Sequence, residues 1–361
     1  MTKTVFEALG IHHPIIQAPM VGVSTPQLAA AVSNAGALGS IGLGASTVAQ
    51  ARTQMQQTRA LTDRPFNVNL FCHQPVQFDQ QRNDAWLTYV ARFFPALDAI
   101  VPTSMKEIYK SFLDDPEMLE MLLEVRPEVV SFHFGAPPAA WVARLKARGI
   151  YTLGCATTPS EAQQLALAGV QSIVAQGNEA GGHRGVFDDA PGQDSQIGLL
   201  ALVRLIVSAV DVPVIAAGGI MDGFGMNAVL DLGACGVQMG TAFILCPESS
   251  ATPEHRAVLK TDKAHQSRIT RYLSGRSARG IPNSLYLEGS GESIPQPAEY
   301  PLAYDVAKAL HAAASAKGSQ AFAAQWAGQG APLARAMPAA ELIALLVEEM
   351  GKKRHEVVGA A

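Results

Sequence analysis

Eight short apolar runs, each followed by a helix-length segment, constrain this chain more than any other feature. They are Pro14 to Met20, Ala37 to Gly42, Phe66 to Phe71, Val129 to Phe134, Ile150 to Cys155, Ser172 to Ala175, Pro213 to Ala217 and Gly236 to Met239. Strands that alternate with helices pair in parallel, because each crossover returns the chain to the same edge of the sheet. Eight such units predict an α/β fold closed into a TIM (β/α)8 barrel. An open doubly wound sheet is the alternative, disfavoured because no GxGxxG follows the first run.

Helix signals fill the gaps between the runs. Thr25-Pro26 offers a side-chain cap with proline at the first helical position, so a helix is expected over Leu28 to Ala35, ended by Gly36. Thr158-Pro159-Ser160-Glu161 reads as a capping box opening a helix that runs to Gly169. Further helices are expected over Ala139 to Arg148, Leu199 to Ala209 and Gly225 to Leu232. The connection from Cys72 to Arg126 is too long for an ordinary βα loop and predicts a partly helical excursion. After Cys246 the texture shifts, and Pro247 to Glu299 is rich in charge, Ser, Gly and Pro. The expected division is a barrel over residues 1–246 and a smaller lid or substrate-binding domain over residues 247–330. An amphipathic helix over Ala339 to Met350, within residues 335–352, is expected to complete the outer ring. Lys352-Lys353-Arg354 then forms its solvated end, favourable to the helix dipole.

Composition excludes several classes of function. Hydrophobic content of 48% against 16% charged residues fits a large buried core rather than a disordered or fibrous chain. The net charge of −4 argues against a nucleic-acid partner. Cys72, Cys155, Cys235 and Cys246 show neither a CxxC pair nor metal-ligand spacing, so no metal site is expected and the thiols read as reduced. Met1 to Glu7 lacks a signal core, and Ile197 to Ile220 is interrupted by Arg204, Asp211 and Pro213. A cytoplasmic location without membrane contact is the expectation.

Chemistry concentrates in Gln176-Gly177-Asn178-Glu179-Ala180-Gly181-Gly182-His183-Arg184-Gly185, directly after the sixth run. Glycines let backbone approach a flat ligand, and an imidazole just past a strand's carboxyl end sits where α/β folds place their chemistry. TIM barrels commonly hold a phosphate on the loops after strands seven and eight, here Gly218-Gly219 and Gly240-Thr241. Bare N–H groups at helix amino termini suit that purpose. A phosphate site beside flat glycine surfaces points to flavin mononucleotide (FMN). Asn69, Gln176 and the backbone from Ala18 to Met20 are candidates for the pyrimidine edge of its ring. His133, between Phe132 and Phe134, reads first as a core histidine and second as a site imidazole. Tyr300, Tyr304 and Lys308 recur every four residues beside Pro301, on the helix face opposite Leu302, Val306, Ala309 and Leu310. They point to the rim of an active-site mouth, or alternatively to a contact with a second copy of the chain.

These motifs resemble those of the class I nitronate monooxygenases, formerly called 2-nitropropane dioxygenases. The resemblance rests on Gln17 to Met20, Phe66 to Leu70, Asn178 to Gly185, Ala217 to Ile220, Gln238 to Phe243, Ser274 to Gly280, and the Tyr300, Tyr304 and Lys308 set. It implies a TIM barrel binding FMN and oxidising alkyl nitronates with O2 to a carbonyl compound and nitrite, without NAD(P)H. It further implies His183 as base for neutral nitroalkanes; on electrostatic grounds a protonated His183 would stabilise a nitronate anion instead. Ala18, Met20, Asn69, Gln176, Gly181, Gly218, Gly219, Gly240 and Thr241 would line the flavin, and Tyr300, Tyr304 and Lys308 would shape the substrate entrance; His133 is a separate candidate for substrate binding. The rival on the same barrel is an NAD(P)H-dependent enoyl-thioester or quinone reductase. A phosphate-binding barrel without redox chemistry is the rival from another class.

Overall fold

The computed structural model describes residues 3–287 and 294–352. The barrel strands are β1 (Ile15–Gln17), β2 (Gly39–Gly42), β3 (Phe66–Phe71), β4 (Val129–His133), β5 (Tyr151–Ala156) and β6 (Ser172–Gln176). A two-residue strand β7 (Gly182–His183) follows outside the barrel, and β8 (Val214–Ala217) and β9 (Gly236–Met239) complete it. All eight barrel strands pair in parallel, in the order β1-β9-β8-β6-β5-β4-β3-β2. The two ends meet at an Ile16 to Leu38 bridge, where Gln17 N–H donates to the Leu38 carbonyl at 2.9 Å. The sheet is a TIM barrel.

Helices surround it in chain order. They are α1 (Val5–Leu9), α2 (Pro26–Asn34), α3 (Val48–Arg59), α4 (Gln80–Ala91), α5 (Pro116–Val125), α6 (Ala139–Ala147), α7 (Pro159–Leu167), α8 (Leu199–Val207) and α9 (Gly223–Asp231). Then come α10 (Pro253–Val258), α11 (Ser284–Leu287), α12 (Leu302–Ala316) and α13 (Ala339–Gly351), with antiparallel strands β10 (Arg268–Thr270) and β11 (Ala278–Gly280) after α10. Helix α13 packs against α9 and α2, filling the place on the outer ring that follows the eighth barrel strand. Lys353 and Arg354 lie outside the described residues. Among the described residues no helix is long and apolar enough to cross a membrane.

Alternation with period two decides which side chains enter the barrel. Phe66, Val68 and Leu70 of β3, Val130 and Phe132 of β4, and Ile173 and Ala175 of β6 join the layer beneath the helices. Val129, Tyr151, Leu153, Val174, Ile215 and Ala217 form a separate inner cluster with Val5 and Phe6 of α1. Helix α1 therefore plugs the amino-terminal end, with Tyr151 donating its hydroxyl to the Lys3 carbonyl at 2.8 Å. The same parity turns Asn69, Phe71, Ser131, His133, Cys155, Gln176 and Gln238 inward at the carboxyl-terminal end, where they line a cavity.

A second hydrophobic cluster lies outside the barrel. It joins Trp86, Val90 and Phe94 of the long excursion to Leu273, Leu302, Val306, Leu310 and Phe322. The small sheet β10-β11-β7 ties this region to the glycine–histidine loop, with His183 opposite Ala278 and Gly182 opposite Arg279.

Three local expectations change. Thr158 caps α7 by accepting from Glu161 N–H, but the Glu161 carboxylate does not return to it. It takes Thr157 N–H at 2.6 Å and Phe187 N–H at 2.8 Å, joining α7 to the loop after His183 instead. Reciprocal capping boxes occur at Thr4/Glu7 and Thr47/Gln50, the latter opening α3, a helix the sequence reading did not include. Tyr300 precedes α12 and is buried, so it shares no outward helix face with Tyr304 and Lys308.

Candidate active site

One cavity of about 420 Å3 opens at the carboxyl ends of the strands. It brings together every residue singled out from the sequence: Ala18, Met20, Asn69, His133, Gln176, Gly181, His183, Gly218, Gly219, Gly240, Thr241, Tyr300, Tyr304 and Lys308. Its size falls within the range of small-molecule sites, roughly 300–1,000 Å3. Among the described residues no Asp or Glu lines it. Among the described residues no group of His, Cys, Asp and Glu is placed to hold a metal.

The phosphate end is built from backbone. Gly218 (φ 126°) and Gly219 (φ 69°) adopt left-handed conformations that a side chain would strain. Among the described residues, no acceptor pairs with the N–H groups of Gly218, Gly219 or Gly240. The arrangement differs from the expected helix-terminus site. The amino end of α9 is capped by Asp222, whose Oδ1 accepts from Gly225 N–H at 2.7 Å, and β9 leads into a 3-10 turn, Thr241–Phe243. The free donors are therefore those of the loops themselves. Thr241 Oγ1 accepts from Gly328 N–H at 3.0 Å, which leaves its own proton to donate. Gly181 answers to a different demand: a Cβ there would lie 2.5 Å from the Gly328 nitrogen, so its glycine lets the carboxyl-terminal strap pass over the loop.

Gln176 is largely committed within the chain. Its Oε1 accepts from Gly185 N–H at 2.7 Å and from Arg184 Nη1 at 3.3 Å, and its Nε2 donates to the His183 carbonyl at 3.0 Å. It shapes the loop, and one Nε2 proton remains for a ligand. Asn69 donates through Nδ2 to Ser131 Oγ at 2.9 Å and faces the cavity with the rest of its amide. Arg184 is completely buried and bonds Asp194 through Nε at 2.8 Å and the Gly177 carbonyl through Nη1 at 2.9 Å. Glu179 caps α8, accepting from Leu199 N–H at 2.9 Å, where Gly198 has no side chain to do so. The loop around His183 is thus fastened at each end.

His183 Nε2 lies 2.9 Å from Ser274 Oγ. Its ring is enclosed by Trp326 at 5.3 Å, Tyr300 at 5.5 Å, Phe134 at 5.7 Å and Tyr304 at 6.0 Å between centroids. Burial, then the neighbouring His133 and Arg276, push its pKa down to about 3, so the imidazole is neutral and able to accept a proton. The resting imidazole is therefore uncharged, and the protonated form expected to stabilise an anion arises only once His183 has taken up a proton. His133 Nε2 lies 3.2 Å from the His183 carbonyl and donates to it, since a carbonyl can only accept. Burial also pushes its pKa down to about 4. It both lines the cavity and braces His183.

Toward the mouth, burial pushes the pKa of Tyr304 up to about 12. The Lys308 ammonium sits 4.8 Å from the Tyr109 ring centroid and 5.2 Å from that of Tyr304. The Tyr300 hydroxyl is buried with no partner. Tyr109, Trp326 and Gln238 also line the cavity, and the sequence reading gave them no role. Tyr109 sits in an aperiodic stretch of the excursion and Trp326 in a segment joining two helices, so no local pattern marks either.

Fold and site together define a TIM-barrel enzyme whose backbone donors and glycine surfaces suit a flavin phosphate and ring. Comparison with known proteins narrows this. The model of the nitronate monooxygenase family matches residues 2–349. The nitronate monooxygenase of Pseudomonas aeruginosa is 56% identical over 97% of this chain and 99% of its own. That of Paraburkholderia phytofirmans is 52% identical over 96% of this chain and 95% of its own. The solved nitroalkane oxidase from Streptomyces ansochromogenes superposes with a TM-score of 0.89 at 38% identity, covering 98% of this chain and all of that one. The chain belongs to the nitronate monooxygenase family, whose members are FMN-dependent oxidoreductases. The enoyl-thioester reductase alternative is not favoured.

Proposed function

We propose that the chain uses O2 to oxidise alkyl nitronates to a carbonyl compound and nitrite, and that His183 extends this activity to neutral nitroalkanes. Membership of the family supports the reaction. The observation that carries the reading of His183 is its neutral imidazole, walled by aromatic rings, in a cavity that no carboxylate lines among the described residues. When bound, FMN supplies the electron acceptor and the reaction with oxygen. Gly218, Gly219, Gly240 and Thr241 would hold its phosphate, and Ala18, Met20, Asn69 and Gly181 would face the rest of it. Gln176 and His133 hold the His183 backbone in place. The unpartnered Tyr300 hydroxyl is available to a substrate oxygen, and Tyr304 and Lys308 would shape the entrance, where the exposed ammonium attracts anions.

Removing a proton from carbon requires a base, whereas a nitronate has already lost it. General base catalysis contributes roughly 10²–10⁴-fold. His183→Asn is therefore expected to cut kcat/KM for nitroethane by at least about 100-fold while leaving that for ethyl nitronate within a few-fold. Equal losses on both substrates reject His183 as the base. The reading extends to a cytoplasmic enzyme, supported by four free cysteines. It also extends to a homodimer, supported by the exposed Leu167 and Leu200 on α7 and α8.

A further inference from the structure

Arg276 stands in the Ser274 to Gly280 motif, to which the functional reading assigns no chemistry. Its side chain is buried, with 7% exposure. The guanidinium lies 4.3 Å over the centroid of Phe134. That ring in turn sits 4.4 Å from His133, 5.5 Å from Tyr300 and 5.7 Å from His183. Phe134 holds a left-handed backbone (φ 75°), uncommon for a bulky residue and a form of strain that clusters at functional sites. Its position beneath Arg276 is therefore imposed by its surroundings.

Arg276 also lacks an ion-pair partner, with Asp189 and Glu161 attracting its charge only from farther off. Nη2 donates to the Val186 carbonyl, and Nε is buried with no partner. The two neighbouring arginines are matched, Arg184 by Asp194 at 2.8 Å and Arg271 by Asp189 at 3.3 Å. Among the described residues no carboxylate stands within ion-pair distance of Arg276. Arginine does not lose its proton in proteins, so the cost of burying this charge cannot be relieved by neutralisation. Among the described residues that line the cavity Lys308 is the one Lys or Arg, and Arg276 stands just behind that lining, against Phe134. His183 and His133 are held neutral by burial, and so is His73, which meets Tyr300 edge-on. Lys308 is exposed at the rim, where solvent screens it.

We propose that Arg276 is a specificity-determining residue, whose field, transmitted past Phe134, makes the cavity select the anionic nitronate over its neutral conjugate acid. The proposal rests on the nitronate reading given above. For an anion beside His183, on the order of 10 Å from the guanidinium, an effective dielectric of about 20 gives a preference of about tenfold.

The test uses the FMN-loaded enzyme and two stable probes, butyrate as an anionic mimic of propyl-1-nitronate and butyramide as its neutral isostere. Binding is read from the perturbation of flavin absorbance, so turnover plays no part. The wild type is expected to prefer butyrate. Arg276→Met and Arg276→Gln are expected to lose about tenfold in butyrate affinity with butyramide unchanged, and Arg276→Lys to restore most of the difference. A neutral variant that keeps the wild-type ratio, or loses both probes equally, overturns the proposal and leaves Arg276 as a brace for the Val186 loop. Equal affinity of the wild type for the two probes also overturns the proposal. Failure of propyl-1-nitronate to bleach wild-type flavin anaerobically sinks the nitronate reading itself. Bleaching with an unchanged probe ratio in Arg276→Met sinks only the role given to Arg276.

Discussion

Lowering the pH should destabilise this fold well above the range in which its carboxylates titrate. Three imidazoles in or beside the cavity have depressed pKa values, about 3 for His183 and about 4 for His133 and His73, with burial as the first cause of each. An unfolded histidine titrates near 6.5. Between these limits the unfolded chain binds protons that the folded chain refuses, so stability falls as the pH falls below about 6.5 and continues to fall to about 4. Each such histidine contributes up to about 1.4 kcal/mol per pH unit, and from pH 7 to pH 5 the three together remove about 5 kcal/mol. That is comparable to the whole stability of many domains, about 5–15 kcal/mol. His255, also buried and also lowered, acts in the same direction. The assay is the urea midpoint at pH 7, 6 and 5. His73→Phe gives an internal control, because the His73 ring meets Tyr300 edge-on at 5.1 Å, a contact that a phenyl ring can keep. The variant is expected to recover about 2 kcal/mol of the acid loss. Identical midpoints at pH 7 and pH 5, or an unchanged pH slope in His73→Phe, would refute the reasoning.

Two further substitutions test how the site is held. Gly181→Ala would place a Cβ 2.5 Å from the Gly328 nitrogen and 2.6 Å from the Ala327 carbonyl carbon. It is expected to cost about 1–3 kcal/mol in thermal or urea unfolding and to weaken FMN retention measured by flavin fluorescence, because Gly328 also bonds Thr241. Wild-type stability and retention would show that the strap does not press on the loop. Asp194→Ala leaves Arg184 buried without its partner and is expected to cost about 3–5 kcal/mol in urea unfolding. A loss below about 1 kcal/mol, the range of an exposed pair, would contradict the view of this bridge as the anchor of the glycine–histidine loop.

The barrel was legible because the apolar runs carry period two and the intervals carry period 3.6, and neither depends on distant contacts. The site was legible for the same reason. His133 and Gln176 end their strands and Asn69 sits two residues before the end of its own, all with inward parity, and Gly218 and Gly240 follow theirs directly. What the sequence hid depends on partners far along the chain. Gln176 carries the amide that suits a flavin edge, yet Gly185, Arg184 and the His183 carbonyl claim most of it. Gly181 resembles a ligand-facing glycine, but the segment crossing it comes from Ala327 and Gly328. Glu161 fits a capping box by spacing, while Phe187, 26 residues on, offers a competing donor. Trp326 reaches the cavity by packing on the second hydrophobic cluster and Tyr109 by joining Phe134 and Tyr300 in another, and both clusters draw on separate segments.

The most direct test of the account mixes the FMN-loaded enzyme anaerobically with propyl-1-nitronate or NADH and follows the flavin band. The account predicts rapid bleaching by the nitronate, recovery of the yellow colour with nitrite release on admitting O2, and no comparable bleaching by NADH. Fast bleaching by NADH with none by the nitronate would contradict it and place the chain's chemistry with the reductases.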